Sequence, residues 1–232
     1  MDSQDISELI GHLDIGSSVA VQAIDCDFNV GGGSSSLLTD LALLPTSMEV
    51  AGMGNSNVIV SAVNSSSALR CISYNWLFDG GRVLEQAEHY VRELWIRSCG
   101  RNTFAAIVAR DWIYLETLVS CDYTLGHFLE YLSTPLELPC ARGLSTIRLI
   151  QTSSYKNLDL SVQQRIKERF MLARKDCPAI KLVIESHVLQ RDAGQRVTED
   201  VEALFESVEY KFFEQAPTMT YPDVCNSGWS TK

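Results

Sequence analysis

Asp25, Asp27 and Asn29 stand at alternate positions and run directly into Gly31, Gly32 and Gly33. Side-chain oxygens at that spacing can surround a hard cation such as Mg2+ or Ca2+. The glycines behind them offer backbone N–H groups to a phosphate, above all if they open a helix. Asp25, Asp27 and Asn29 are therefore the candidate metal ligands, and Gly31, Gly32 and Gly33 the candidate phosphate cradle.

The pattern stops short of a completed motif. An EF-hand calcium loop has Gly at its sixth position and Glu at its twelfth; counted from Asp25, these are Val30 and Ser36. A P-loop carries Lys after its glycines, whereas Ser34, Ser35 and Ser36 follow here. The Asp-x-Asp pair after a strand is similar to the opening of the haloacid-dehalogenase phosphotransferases, but their Gly-Thr continuation is missing and no later acidic pair can be assigned to the metal. Two carboxylates would also repel a phosphate unless a metal bridged them. The segment reads first as a polar linker. A metal-dependent phosphate-handling enzyme using Asp25, Asp27 and the glycines, with Mg or Ca as cofactor, is the alternative.

Other reactive residues are dispersed. Seven cysteines, Cys26, Cys71, Cys99, Cys121, Cys140, Cys177 and Cys225, include no C-x-x-C pair, which fits free thiols in a reducing compartment. The four histidines have no zinc-site spacing. Cys121 and His127 are the nearest thiol–imidazole pair. Glu185 and His187 fall on one face of a predicted strand, where acid/base work or metal binding is weighed against an exposed surface. Arg165, Arg169 and Arg174 lie in the densest basic run, on the outside of a predicted helix; they are the candidate partner-binding cations, against a plain solvated face.

Charge separates along the chain. Residues 1–69 hold eight acids and no Lys or Arg, while residues 70–232 hold all 19 bases against 21 acids. The acidic first third opposes a phosphate backbone, so nucleic acid is not the expected partner; a docking face for a basic protein is the sharper reading of it, and would show steep salt dependence. No apolar run approaches the roughly 18 residues of a membrane helix, and the amino terminus lacks a basic n-region, so a cytoplasmic or nuclear protein is expected, with no membrane partner. The 46% hydrophobic content is ample for a core.

The elements that must position these residues follow from periodicity. Val83, Leu84, Ala87, Tyr90, Val91, Leu94 and Trp95 recur at helical spacing, with Glu88–Arg92 and Glu93–Arg97 as outer-face pairs. The unbroken apolar run 104–109 predicts a central strand, a break falls near Arg110 and Asp111, and strand-favouring residues resume over 112–119. A hairpin pairs 58–63 with 68–76, and further strands are expected over 19–24, 146–152 and 179–188. Helices are expected over 6–13, 37–44 and 125–132, from Ser161 onward, and from Thr198 with Val201, Leu204, Phe205, Val208 and Phe212 as its apolar stripe. The expected fold is a single α+β domain over 1–216, with a mixed, largely antiparallel sheet flanked by about five or six helices. A doubly wound α/β sheet is the alternative. An internal boundary falls near 133–143, and 217–232 forms a tail that is mobile or docked.

With no completed catalytic or cofactor motif, the sequence points to a non-enzymatic intracellular protein. It would act through protein contacts as an adaptor, assembly subunit or structural component, or by self-association.

Overall fold

In a computed structural model the described residues are 20–24, 43–52, 58–73, 84, 87–99, 101–108, 110–121, 143–151, 179–190 and 199–225. Among the described residues nine strands build one sheet: β1 (Ala20–Ile24), β2 (Ser47–Gly52), β3 (Val58–Val63), β4 (Ala68–Ser73), β5 (Glu93–Arg97), β6 (Thr117–Cys121), β7 (Thr146–Gln151), β8 (Lys181–His187) and β9 (Ser207–Phe213). Their spatial order is β1-β4-β3-β2-β5-β6-β7-β8-β9. Strands β2, β3 and β4 form an antiparallel end, and β1 adds parallel to β4 at the outer edge. Every ladder from β2 through β5 to β9 is parallel.

The sheet is thus mixed but mostly parallel, which corrects the expectation of a largely antiparallel one. Hairpins are signalled by local turn residues. Parallel neighbours need a crossover of a dozen residues or more, and nothing local in the sequence announces which strand lies beside which. Among the described residues the helical pieces are α1 (Arg101–Val108), a single turn α2 (Glu199–Glu202), a 3-10 turn at Val188–Gln190 and the end of a helical turn at Leu84 and Ala87.

Three predicted elements change identity. The helix expected to reach Trp95 closes at Ala87–Tyr90, with Val91 N donating to the Ala87 carbonyl at 3.0 Å, and Leu94, Trp95 and Ile96 become the middle of β5. Three consecutive apolar residues suit a strand covered on both faces, and in this register they fitted the helical period as well. The expected i,i+4 pairs give way to longer-range ones: Glu88 with Arg110 at 3.5 Å, Arg92 with Glu116 at 3.0 Å and Arg97 with Glu49 at 3.0 Å. The apolar run 104–109 is not a strand but falls largely in α1. Phe104 and Ile107 are buried one turn apart and Ala106 faces out, the spacing of a helix face rather than the alternation of a strand. The Trp112 indole donates to the Ile107 carbonyl at 2.9 Å, satisfying an acceptor at the helix end. The last predicted helix shrinks to α2, and Val208, Tyr210 and Phe212 alternate with Glu209 and Lys211 along β9.

Strands expected over 19–24, 146–152 and 179–188 are present as β1, β7 and β8. The 58–63 hairpin is β3–β4, turned by the Asn64 carboxamide, whose Oδ1 accepts from Ser66 N at 2.9 Å and Ser67 N at 2.8 Å. This is an Asx turn. The helices predicted over 6–13, 125–132 and from Ser161 lie outside the described residues, as does most of 37–44; Leu43 and Leu44 are not helical.

The strand register sorts the side chains into two faces. Met48, Leu94, Leu118, Ile147, Leu182 and Val208 align in one row of the first face, and Val50, Ile96, Ser120, Leu149, Ile184 and Tyr210 in the next. Described residues of the connections pack on this same face: Phe104, Ile107, Trp112 and Leu115 between β5 and β6, Leu144 before β7, Ile180 before β8, and Leu204 and Phe205 before β9. The backbone repeats at the entry to each strand. The Thr46 carbonyl accepts from Arg92 N and Glu93 N, the Arg92 carbonyl from Glu116 N and Thr117 N, and the Glu116 carbonyl from Ser145 N and Thr146 N, all at 2.9–3.2 Å.

Candidate interaction surface

Most of the sites predicted from sequence fall outside what the structure describes. Asp25, Asp27, Asn29, Gly31, Gly32 and Gly33 lie outside the described residues, and so do Arg165, Arg169, Arg174 and His127. Cys121 is buried in β6. Glu185 and His187 do share a face of β8, but each has its own partners. Glu185 accepts from Arg148 Nε at 2.7 Å. His187 Nδ1 accepts from Leu189 N at 3.2 Å, which leaves Nε2 to carry the proton that faces the Glu214 carbonyl at 3.1 Å. With both ring nitrogens engaged, this histidine is a structural link between β8 and the chain beyond β9. Among the described residues, no group of three His, Cys, Asp or Glu side chains could hold a metal ion.

The second face of the sheet carries the polar chemistry. Arg70, Ser61, Glu49, Trp95, Val119, Arg148, Val183 and Glu209 align in one row across β4, β3, β2, β5, β6, β7, β8 and β9. Each sits near the middle of its strand. Glu49 and Arg70 are only 2% and 5% exposed, so their charges must be met by partners. Arg97 Nε donates to Glu49 Oε1 at 3.0 Å, and Arg70 Nε donates to Ser61 Oγ at 3.3 Å. The guanidinium of Arg148 lies 5.4 Å from the centre of the Trp95 ring, a cation–π distance, and the Trp95 indole donates to Glu93.

Met219 and Tyr221, after β9, close over this row. Met219 is buried with Trp95, Val119, Cys121 and Ile150. Two residues on, the Tyr221 hydroxyl donates to Glu49 Oε2 at 2.9 Å and accepts from Arg70 Nη2 at 3.3 Å, with the Arg70 guanidinium 5.5 Å from the tyrosine ring. Burial and the nearby Glu49 carboxylate push the phenol above its ordinary pKa, so it stays a donor. Cys99, on the far side of β5, is pushed up to about 12 by burial, and its thiol donates to the Val50 carbonyl at 3.5 Å. It is a packed thiol, not a nucleophile.

Away from the tail, the face ends in an open ladder on β8 and β9. Lys181 Nζ lies 2.6 Å and Lys211 Nζ 3.5 Å from the two carboxylate oxygens of Glu209, and the Lys181 hydrogen bond holds that carboxyl below the usual range.

Sequence reasoning singled out Glu185, His187 and Cys121 from this surface, and none of its buried charges besides Glu185. A signal for the rest was available: Glu49, Arg70 and Arg148 are each the single charge within the four residues that follow the first of an otherwise apolar strand. A charge at such a position has to meet a partner on a neighbouring strand.

No family model, curated protein or solved structure matches the chain.

Proposed function

We propose that this protein is a non-enzymatic intracellular interaction protein, an adaptor or assembly subunit that presents the charged face of its sheet to a protein partner. The observation that carries this reading is the division of labour between the two faces. The described connection residues pack on one face, while the other carries charged side chains that alternate with Trp95, Val119, Ile150 and Val183. Parallel strands that each advance one place along a sheet are how solenoid proteins build extended binding surfaces. A polar rim of Lys181, Glu209 and Lys211 beside a more buried centre is also the usual anatomy of a reversible protein contact.

The test is affinity isolation of the full chain, wild type beside the Lys181→Glu/Lys211→Glu variant, followed by reconstitution of the recovered protein in purified form. A partner that binds wild type directly and the variant at least about tenfold more weakly supports the reading. Equal binding to both, or a catalytic turnover by the purified chain, overturns it.

A further inference from the structure

Strand β9 stands at one end of the strand order, and among the described strands it pairs only with β8. The described chain on either side leaves that edge. Leu204 and Phe205, before the strand, pack on the first face, while Met219 and Tyr221, after it, lie on the second over Trp95 and Glu49. An edge strand offers a row of backbone N–H and C=O groups to another strand. Which strand it takes depends on the side chains that come to stand opposite its own.

In β9, which runs Ser207-Val208-Glu209-Tyr210-Lys211-Phe212-Phe213, opposite charges flank Tyr210. Laid antiparallel beside a second copy of itself and centred on Tyr210, the strand sets Glu209 opposite Lys211 of the second copy, twice by symmetry. On the other face Val208 meets Phe212 of the second copy, also twice, and Phe212 is 44% exposed in the single chain. Opposite charges directly across an antiparallel pair attract, and like charges there repel. A shift of two residues, the least that keeps each face on its own side, puts Glu209 against Glu209 or Lys211 against Lys211. A shift of one turns the charged face of one copy onto the apolar face of the other. The centred register is thus favoured over its neighbours.

A lysine on an edge strand commonly guards it against pairing; here the carboxylate two residues away makes the guard self-complementary. Both side chains are accessible, Glu209 at 39% and Lys211 at 53%. Lys181 Nζ holds one Glu209 oxygen at 2.6 Å, but Lys211 Nζ stays 3.5 Å from the other, longer than a close charged hydrogen bond. That oxygen has room for a nearer ammonium.

We propose that β9 is a self-recognition edge through which two copies of this chain pair antiparallel about Tyr210. The sheet then continues across a twofold axis, and because the same patch serves both copies the assembly closes as a dimer. Such a contact is small, so the dimer is reversible. It stands apart from the partner reading above, since it uses the strand edge and needs the purified chain alone.

Sedimentation velocity of the full chain over a concentration series should show a monomer–dimer equilibrium with a Kd below about 100 μM. Glu209→Lys and Lys211→Glu each bring like charges together and should weaken it at least about tenfold. An equal mixture of those two variants restores both opposite pairs in a heterodimer and should associate about as tightly as wild type. Wild type that stays monomeric at about 100 μM, single variants that dimerise like wild type, or a mixture no tighter than its components would each overturn the proposal. If a charge-reversed variant loses cooperative unfolding, Tyr210→Cys decides. Facing residues of an antiparallel pair lie about 4.5–5.5 Å apart at Cα, within disulfide reach, so mild oxidation should join 210 to 210, located by peptide mass mapping. Oxidation that forms no bond at that position overturns the pairing.

Discussion

Two buried groups report most directly on how side chains are accommodated. Ser120 of β6 stands in a row with the aliphatic Val50, Ile96, Leu149 and Ile184, its Oγ buried and without a hydrogen-bond partner among the described residues. A hydroxyl in that position costs roughly 1–3 kcal/mol relative to water, so Ser120→Ala should leave stability unchanged or raise it by up to about 1 kcal/mol in urea unfolding; a clear loss would mean the hydroxyl is bonded. Cys99 gives the opposite kind of signature, visible only at high pH. Its folded pKa of about 12 exceeds the ordinary 9.0, so below pH 9 the thiol is protonated in both states and contributes no pH dependence. Between pH 9 and 12 the unfolded chain releases a proton that the folded chain keeps, and stability falls by up to about 1.4 kcal/mol per pH unit. Urea midpoints should therefore decline less steeply with pH in Cys99→Ala than in wild type. Parallel curves would count against it.

At the scale of elements, a close approach joins the end of β2 to the residues that follow β5. A Cβ at Gly52 would collide with the backbone carbonyl of Ser98 and stand 3.1 Å from the Cys99 Cα, while Ser98 itself has a φ of 50° in the left-handed region that non-glycine residues seldom take. Backbone cannot swing aside as a side chain can. Gly52→Ala should cost about 1–3 kcal/mol, read as a lowered melting temperature; an unchanged melting temperature would show that the two strand ends are loosely joined. The same corner explains what the sequence did and did not disclose. The β3–β4 hairpin was legible because Asn64 and the serines after it make a local turn, and β7 and β8 because their apolar residues are long runs of strand formers. Glu93–Arg97 and Ser207–Phe213 were read as helix because Val91, Leu94 and Trp95, and likewise Leu204, Phe205 and Val208, satisfy a 3.6 period as well as they fill a sheet. What chose between the periods was contact with neighbours far away in the chain, such as Trp95 beside Glu49 and Val119. The polar surface was missed for the same reason, since Glu49, Arg70, Arg97 and Tyr221 come together only once the strand order is known.

Across the whole molecule, stability should fall from the middle of the sheet toward β9. Strands β5 and β6 are buried at their centres, whereas β9 pairs with only one of the described strands and has several exposed side chains. Its amides should exchange at least about tenfold faster than those of β5 and β6 under native conditions; equal protection would make the sheet one cooperative block.

The bond from Tyr221 to Arg70 joins residues 151 positions apart, and that to Glu49 joins residues 172 apart. During synthesis, at roughly 5–20 residues per second, Arg70 therefore waits on the order of 8–30 s for the tyrosine to be made. Throughout that interval the row lacks the cover that Met219 and Tyr221 give it. Glu49 and Arg70, joined by Arg97 and Arg148 as those are made, keep charge on the nascent face beside Trp95 and Val119, which makes it less prone to stick to other unfinished chains than an all-apolar face would be.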